Sequence, residues 1–146
     1  MSQQLEDLDA YRVAMDFIRG TNPILARLAR RHPSLANQLD RAATSIALNL
    51  AEGAGEFSGP DKARFFRMSR RSATECAAIL DLLETRRLLD PAQHAQLREL
   101  IHRMVAMLTG LARQWERNPG AAPAGDAAPP PPGPAARAGA VEPPVE

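Results

Sequence analysis

One pair of residues has the spacing of a metal-binding element found in helical proteins. Glu99 and His102 stand three residues apart in a segment with helical periodicity, the spacing at which di-iron bundles direct a carboxylate and an imidazole to one ion. Such sites need this element on two helices, but the chain contains it once. Ile101 and Met104 define the apolar stripe of the segment, which places Glu99 and His102 at its flanks. A solvated Glu and a flanking His are therefore favoured over a metal site, and no cofactor is expected.

A single cysteine, Cys76, could serve as a nucleophile. No His lies near it in the sequence, and no pattern identifies a base or an oxyanion hole for it. It falls on an apolar stripe, where a free cysteine usually behaves as a small buried hydrophobic residue. One cysteine cannot form an internal disulfide, which indicates a reducing compartment. No catalytic residues are predicted, and the chain is interpreted as a non-enzyme.

Arginines are concentrated in one segment at helical spacing. Four of them lie within eight residues: Arg64, Arg67, Arg70 and Arg71. At about 100° per residue, Arg64, Arg67 and Arg71 fall within about 60° of one another, and Arg70 lies further round. Because the planar guanidinium group suits bidentate contact with phosphate, these four residues are candidate contacts to a nucleic-acid backbone. The alternative is a solvated face that neighbouring acidic residues partly neutralise.

A second set of polar residues borders the predicted core. Ser45, Asn49 and Glu52 stand at steps of four and three on one helix, and Ser72 and Glu75 have a similar spacing on the next. Polar side chains at the border of two packed helices usually form interhelical hydrogen bonds that fix the register. We therefore expect these residues to have a structural role, with catalysis the less favoured interpretation.

Four amphipathic segments position these residues, and they predict an all-α, up-down-up-down four-helix bundle. The last segment has six apolar residues at alternating steps of four and three: Leu97, Ile101, Met104, Leu108, Leu111 and Trp115. Asp90 and Pro91 are expected to open it. The third segment is expected to begin with Ser58 or Gly59 as its N-cap, and its predicted stripe is Phe65, Ser69, Ser72, Cys76, Ile79 and Leu83.

Proline and glycine residues indicate where the first two segments begin, end or are interrupted. The second is predicted to begin with Ser34 as its N-cap and to end at Gly53 and Gly55, where glycine supplies a left-handed turn. This turn lacks the preceding strand and the following Lys-Ser/Thr of a phosphate-binding loop. The first segment carries an apolar stripe, and Pro23 predicts a kink or a break near Asn22.

Composition separates a body from a tail. Residues 1–118 hold 17 Lys and Arg against 14 Asp and Glu, whereas residues 119–146 hold one Arg against three acidic residues. The second range is rich in Pro, Ala and Gly and is predicted to be a disordered tail, because it cannot bury enough apolar surface to fold. The sequence shows neither a signal peptide nor an apolar run of membrane length, so a cytoplasmic location without a membrane partner is expected.

The second and third segments also carry a longer pattern. Residues 41–55 read RAATSIALNLAEGAG, followed by Arg-Phe-Phe at 64–66 and Ser-Ala-Thr-Glu at 72–75. This resembles the four-helix-bundle proteins encoded in intervening sequences of bacterial 23S rRNA genes, in which the second helix runs roughly Arg-x-x-Ala-x-Ser-Ile-x-x-Asn-Ile-Ala-Glu-Gly-x-Gly. The resemblance covers residues 8–113. Departures from the family pattern include Ala47 for a common Pro, Leu50 for Ile, Glu56 for a basic residue and Arg71 for Gly.

The resemblance implies an up-down bundle that assembles into a homopentamer and has no catalytic residues. A related bundle, the accessory variability protein of diversity-generating retroelements, binds nucleic acid and a reverse transcriptase through a basic surface. Five bodies of charge +3 would carry +15, which favours attraction of a polyanion. RNA, DNA or a nucleic-acid-bound protein is therefore the expected partner. An oligomeric protein scaffold is the alternative function.

Overall fold

Residues 3–118 are described by the computed structural model, and they form four helices. These are α1 (Gln3–Arg31), α2 (Pro33–Gly55), α3 (Gly59–Thr85) and α4 (Pro91–Arg117). Helices α1 and α3 each pack against both α2 and α4, so the four helices enclose one core. The predicted up-down-up-down bundle is confirmed, and the predicted disordered tail lies outside the described residues. None of these four helices is long and apolar enough to cross a membrane.

Proline and capping residues define where α3 and α4 begin. Pro60 and Pro91 lie in the first turns of these helices, where a missing N–H has no intrahelical partner to lose. Ser58 is the N-cap of α3: its Oγ accepts a hydrogen bond from the backbone N–H of Asp61 at 3.1 Å and donates one to the Asp61 carboxylate at 2.8 Å. Asp90 holds the N-cap position of α4, as predicted, without a capping hydrogen bond from its side chain.

The predicted N-cap of α2, Ser34, is wrong. The N-cap is His32, and Pro33 is the first helical residue. His32 joins two helices directly, because its N–H donates to the carbonyl of Leu28 at 2.8 Å and its own carbonyl accepts from Ala36 at 3.0 Å. Only His32 lies between α1 and α2, so Ser34 is already inside α2 and cannot be its N-cap.

Helix α1 is not broken at Asn22. It continues through Pro23 to Arg31. Ile24 and Leu28, beyond the proline, are buried in the core, and each such side chain contributes about 1.5–3 kcal/mol on burial. This gain offsets the roughly 3 kcal/mol cost of a proline inside a helix.

The apolar stripe predicted for α4 is confirmed, since all six of its residues are buried. The stripe predicted for α3 is displaced at its N-terminal end. Phe65 and Ser72 are only half-buried, whereas the neighbouring Phe66 and Ala73 are fully buried. Helix α3 packs as extensively against α4 as against α2, so the centre of its buried face turns towards α4.

Candidate nucleic-acid interface

Arg64, Arg67, Arg70 and Arg71, which lie within eight residues of α3, form what we call the α3 arginine edge. Two of them contact α4. The guanidinium group of Arg67 pairs with the carboxylate of Glu116, and Nη1 of Arg70 donates to Oγ1 of Thr109 at 3.2 Å. These contacts hold both arginines beside the groove between the helices. The side chain of Arg67 is 43% exposed and therefore still accessible to a ligand.

The other two arginines of the edge, Arg64 and Arg71, are exposed to solvent. The guanidinium carbon of Arg64 lies 4.6 Å from the ring centre of Phe65, and its Nε is 4.0 Å from the carboxylate of Asp61. The side chain of Arg71 forms no hydrogen bond or ion pair with residues 7–118, whose side chains the structure describes. Arg64 and Arg71 are therefore the members of the edge that are most available to an anionic partner.

Helix α2 is joined to α3 by polar contacts that we call the serine network: Ser45, Asn49 and Ser72. The hydroxyl oxygens of Ser45 and Ser72 are 2.8 Å apart, and Nδ2 of Asn49 donates to both the hydroxyl and the carbonyl oxygen of Ser45 at 2.9 Å. These bonds resist rotation of α3 about its axis, which would move the arginine edge. Glu52 lines the same groove, whereas Glu75 is exposed and forms no part of the network.

Ser69 reinforces this junction from within the core. It is fully buried, and its hydroxyl donates to the carbonyl of Ile46 at 2.7 Å. A small side chain on the facing stripe allows the two helix backbones to approach closely. The register of α2 against α3 is thus held by hydrogen bonds at two levels, one at the surface and one in the core.

Large apolar side chains are exposed on α2, on α3 and in the connection between them. Leu48 lies in the open groove between α2 and α3 and is 40% exposed. Met68 on α3 is 41% exposed, and Phe57 in the α2–α3 connection is 59% exposed. Large exposed apolar residues are enriched at surfaces that contact another protein.

Lys62 is the only lysine of the chain and is buried, with 7% of its surface exposed. Its Nζ donates to the carbonyl oxygens of Gly53 at 3.2 Å and Ala54 at 2.9 Å. It also lies 5.3 Å from the centre of the Trp115 ring. One ammonium group thereby joins the end of α2, the start of α3 and the end of α4. No motif marks this residue in the sequence; its only signal is a lone lysine among arginines.

The charge of Lys62 is subject to opposing effects. Burial lowers the pKa of its amine below 10.5, while the carboxylates of Asp7 and Glu56 act to raise it. The carbonyl oxygens that it contacts carry the negative end of the α2 dipole, which also favours a cation. Lys62 therefore acts as a C-terminal cap of α2.

Gly53 does not end α2 as predicted. It lies inside the helix and is buried. A Cβ atom at this position would be 2.8 Å from Cε1 of Phe66 and 3.1 Å from Cβ of Phe65. The residue is glycine because α2 approaches α3 too closely for a side chain. Gly55 is the last residue of α2, and the C-cap Glu56 has an extended backbone.

A known family matches the chain over most of the bundle. Residues 6–110 match the family described as 23S rRNA-intervening sequence protein. The chain belongs to this family. None of the curated proteins matches it.

The fold is also found in a solved protein structure. This is a protein of unknown function from the S23 ribosomal protein family of Bacteroides thetaiotaomicron VPI-5482. The two are 17% identical with a TM-score of 0.69, and the alignment covers 74% of this chain and 98% of that one. At this identity the likeness shows the shared bundle alone.

The thiol of this 23S rRNA-intervening sequence protein is enclosed by the core. Cys76 is fully buried. Burial raises the pKa of its thiol to about 12, and the negative charge of Glu75 acts in the same direction. The thiolate is the reactive form of cysteine, so Cys76 is unreactive at neutral pH.

Glu99 and His102 do not enter the core of this family member. Both are exposed, and they border a groove between α3 and α4 beside Thr74 and Arg98. Among the side chains described, those of residues 7–118, no group of three His, Cys, Asp or Glu residues is placed to hold a metal ion. These two residues are solvated, as their position beside the apolar stripe predicts.

Proposed function

We propose that this family member is a non-enzymatic, self-associating bundle that binds RNA or another nucleic acid through the α3 arginine edge. The observation that supports the proposal is the presence of four arginines within eight residues of α3, with Arg64 and Arg71 exposed. Guanidinium groups bind phosphate in a bidentate manner. Several such contacts on one edge release counterions from the nucleic acid, so binding should depend strongly on salt.

Self-association adds to the charge of a single protomer. The body carries +3, and a homopentamer, the assembly that the sequence resemblance implies, carries +15 from the same residues. The surface that we propose a second copy covers is the apolar patch of Leu48, Phe57 and Met68. A closed ring of five copies joins two different patches of each protomer, so this patch would face a different surface of its neighbour.

Replacing Arg64, Arg67 and Arg71 together with glutamine should weaken binding to all RNA and DNA sequences alike. The slope of log K against log salt should become shallower by about 2 to 3, because each phosphate contact contributes about 0.9 in duplex DNA and 0.7 in single strands. Fluorescence anisotropy with a labelled RNA hairpin and a labelled DNA duplex measures both quantities.

The matched control removes three arginines from the side of the bundle formed by α1 and α4: Arg12, Arg19 and Arg103. It changes the net charge equally and should leave most of the affinity intact. An α3 variant whose affinity and salt slope equal those of the wild type would exclude the edge as the binding surface. The exposed Arg67–Glu116 pair contributes at most about 1 kcal/mol to stability, so the variant is expected to fold.

Leu48→Glu should dissociate the assembly, because it places a carboxylate in the apolar patch. The control is Leu82→Glu, since Leu82 is 38% exposed against 40% for Leu48 and lies about 21 Å along α3 from Met68, at 1.5 Å per residue. Sedimentation velocity compares the two variants with the wild type at equal concentration. Equal sedimentation of all three proteins would refute this interface.

An oligomeric scaffold without nucleic-acid binding is the second candidate function. The exposed apolar patch favours it, as do the acidic partners that Arg64 and Arg67 already have. Under this alternative the wild type binds neither labelled RNA nor labelled DNA at low salt, and Leu48→Glu still dissociates the assembly. The two candidate functions thus differ in the anisotropy result.

A further inference from the structure

Five arginines from two distant parts of the chain meet at one end of the bundle, which we call the arginine end: Arg27, Arg30, Arg31, Arg86 and Arg87. The first three come from the last turns of α1, and the other two from the connection between α3 and α4. The two segments are in contact, because Nη2 of Arg27 donates to the carbonyl oxygen of Leu88 at 3.4 Å. All five side chains are exposed.

The positive charge of the described body is concentrated in this half of the bundle. The half that includes the arginine end, residues 18–43 and 73–103, holds nine arginines and six acidic residues. The other half, residues 3–17, 44–72 and 104–118, holds eight basic and eight acidic residues. The whole excess of three positive charges therefore lies towards the arginine end, whereas the α3 arginine edge lies in the half without net charge.

Few acidic residues neutralise the arginine end. Arg30, Arg31, Arg86 and Arg87 form no side-chain hydrogen bond or ion pair with residues 7–118, the range in which side chains are described. Glu84 and Asp90 border Arg27 and Arg87 in the same open depression, and neither pairs with an arginine within that part of the chain. Arg30 and Arg31 lie in the last turn of α1, where the negative end of the helix dipole favours positively charged side chains. This interaction leaves their guanidinium groups free to bind a ligand.

The backbone at Arg87 adds a second observation. Arg87 has a φ of 58°, in the left-handed region that glycine adopts without steric cost. It closes the end of α3, since its N–H donates to the carbonyl of Glu84 at 2.9 Å and the N–H of Leu88 donates to Leu83 at 2.8 Å. Helices that end in this way usually have glycine at the left-handed position. An arginine there carries strain that no hydrogen bond or ion pair of its side chain within residues 7–118 offsets.

We propose that the arginine end is a second surface that contacts the phosphodiester backbone of a nucleic acid. The proposal rests on the proposed function. It adds a second contact surface, formed by residues from two separate segments of the chain. Exposed guanidinium groups with few acidic partners attract phosphate more strongly than groups already engaged in ion pairs. Arg87 keeps a strained backbone because its side chain serves the ligand, a pattern typical of functional sites.

The test compares Arg30, Arg31 and Arg86 changed together to glutamine with the α3 variant of equal charge. Anisotropy is measured on the full chain with a labelled RNA hairpin and a DNA duplex, at about 50 and 200 mM salt. We expect the end variant to bind at least about tenfold more weakly at the lower salt, with a salt slope shallower by about 2 to 3. A similar loss of affinity for both probes identifies the phosphodiester backbone, which RNA and DNA share, as the ligand. A loss of affinity for the RNA hairpin alone identifies RNA as the nucleic acid that this surface binds.

Arg87→Gly separates binding from structure. It relieves the left-handed strain, so its unfolding midpoint should rise, while its affinity should fall about threefold or more for the loss of one phosphate contact. Unchanged affinity in both the end variant and Arg87→Gly would overturn the second surface and leave the proposed function standing. A wild type that binds neither probe at the lower salt would overturn the proposed function itself. Circular dichroism confirms that each variant is folded.

Discussion

Gly53→Ala is expected to lower the free energy of unfolding by about 1–3 kcal/mol, the range for an overpacked core. The added Cβ would lie 2.8 Å from Cε1 and 2.9 Å from Cδ1 of Phe66. Phe66 is fully buried and cannot move towards solvent. Phe65 lies on the same side with its Cβ at 3.1 Å, and that atom moves only with the backbone of α3. Urea unfolding followed by circular dichroism, at a fixed protein concentration, measures the change.

Gly110→Ala is the matched control because it makes the same change inside α4. A Cβ at Gly110 meets no atom within 4 Å, so the substitution should raise the free energy of unfolding by about 0.5–1 kcal/mol through helix propensity. The two substitutions should change the free energy of unfolding in opposite directions. This difference distinguishes the effect of close helix packing at Gly53 from the effect of intrinsic helix propensity. If Gly53→Ala proved as stable as the wild type, α2 and α3 would not be in the contact described.

Lys62→Met is expected to destabilise the bundle by about 2–4 kcal/mol, since it removes a charged donor from two carbonyl oxygens. Methionine retains most of the side-chain volume, so the loss reports the ammonium group rather than a cavity. The carbonyls of Gly53 and Ala54 would lose this donor at the buried end of α2. The contact with the Trp115 ring would also lose its cation. Urea unfolding at neutral pH gives the magnitude.

Arg64→Met serves as the control for Lys62→Met, because it removes a basic residue from an exposed position two residues along the same helix. Its effect should stay within about 0.5 kcal/mol. Equal effects of the two substitutions would mean that the buried ammonium does not cap α2.

The pH dependence of the Lys62→Met difference follows from the lowered pKa of Lys62. As pH rises towards 10.5, the folded protein releases the proton of Lys62 before the unfolded chain does. The unfolded state then binds more protons, so the stability of the wild type relative to Lys62→Met rises across the interval between the lowered pKa and 10.5. A relative stability that fell in this interval would contradict the burial of the amine.

Much of the fold follows from local sequence. The steps of four and three in α4 identify its buried face, because an apolar stripe repeats with the helical period. Ser58 and Asp90 occupy the N-cap positions that their residue types predict. The family pattern over residues 41–55 places the chain in its family before any coordinates are known. All of these signals depend on residues within a few turns of one another.

Tertiary packing decided the rest. Pro23 stays within α1 because the core buries Ile24 and Leu28 beyond it. Position 53 requires glycine because α2 and α3 pack closely there, not because the chain turns. Lys62 can cap α2 only when the ends of three helices meet. Helical periodicity records that one face is apolar, but it does not record which helix covers that face or at what distance.

The position of charge shows the same limit. The sequence by itself determined the bundle, its family and the cluster of arginines on α3. It did not show that Arg67 meets Glu116, 49 residues away, or that Arg27 meets the backbone of Leu88, 61 residues away. Electrostatic attraction depends on distance in space, so only the tertiary structure revealed which arginines are paired and which gather at one end of the bundle.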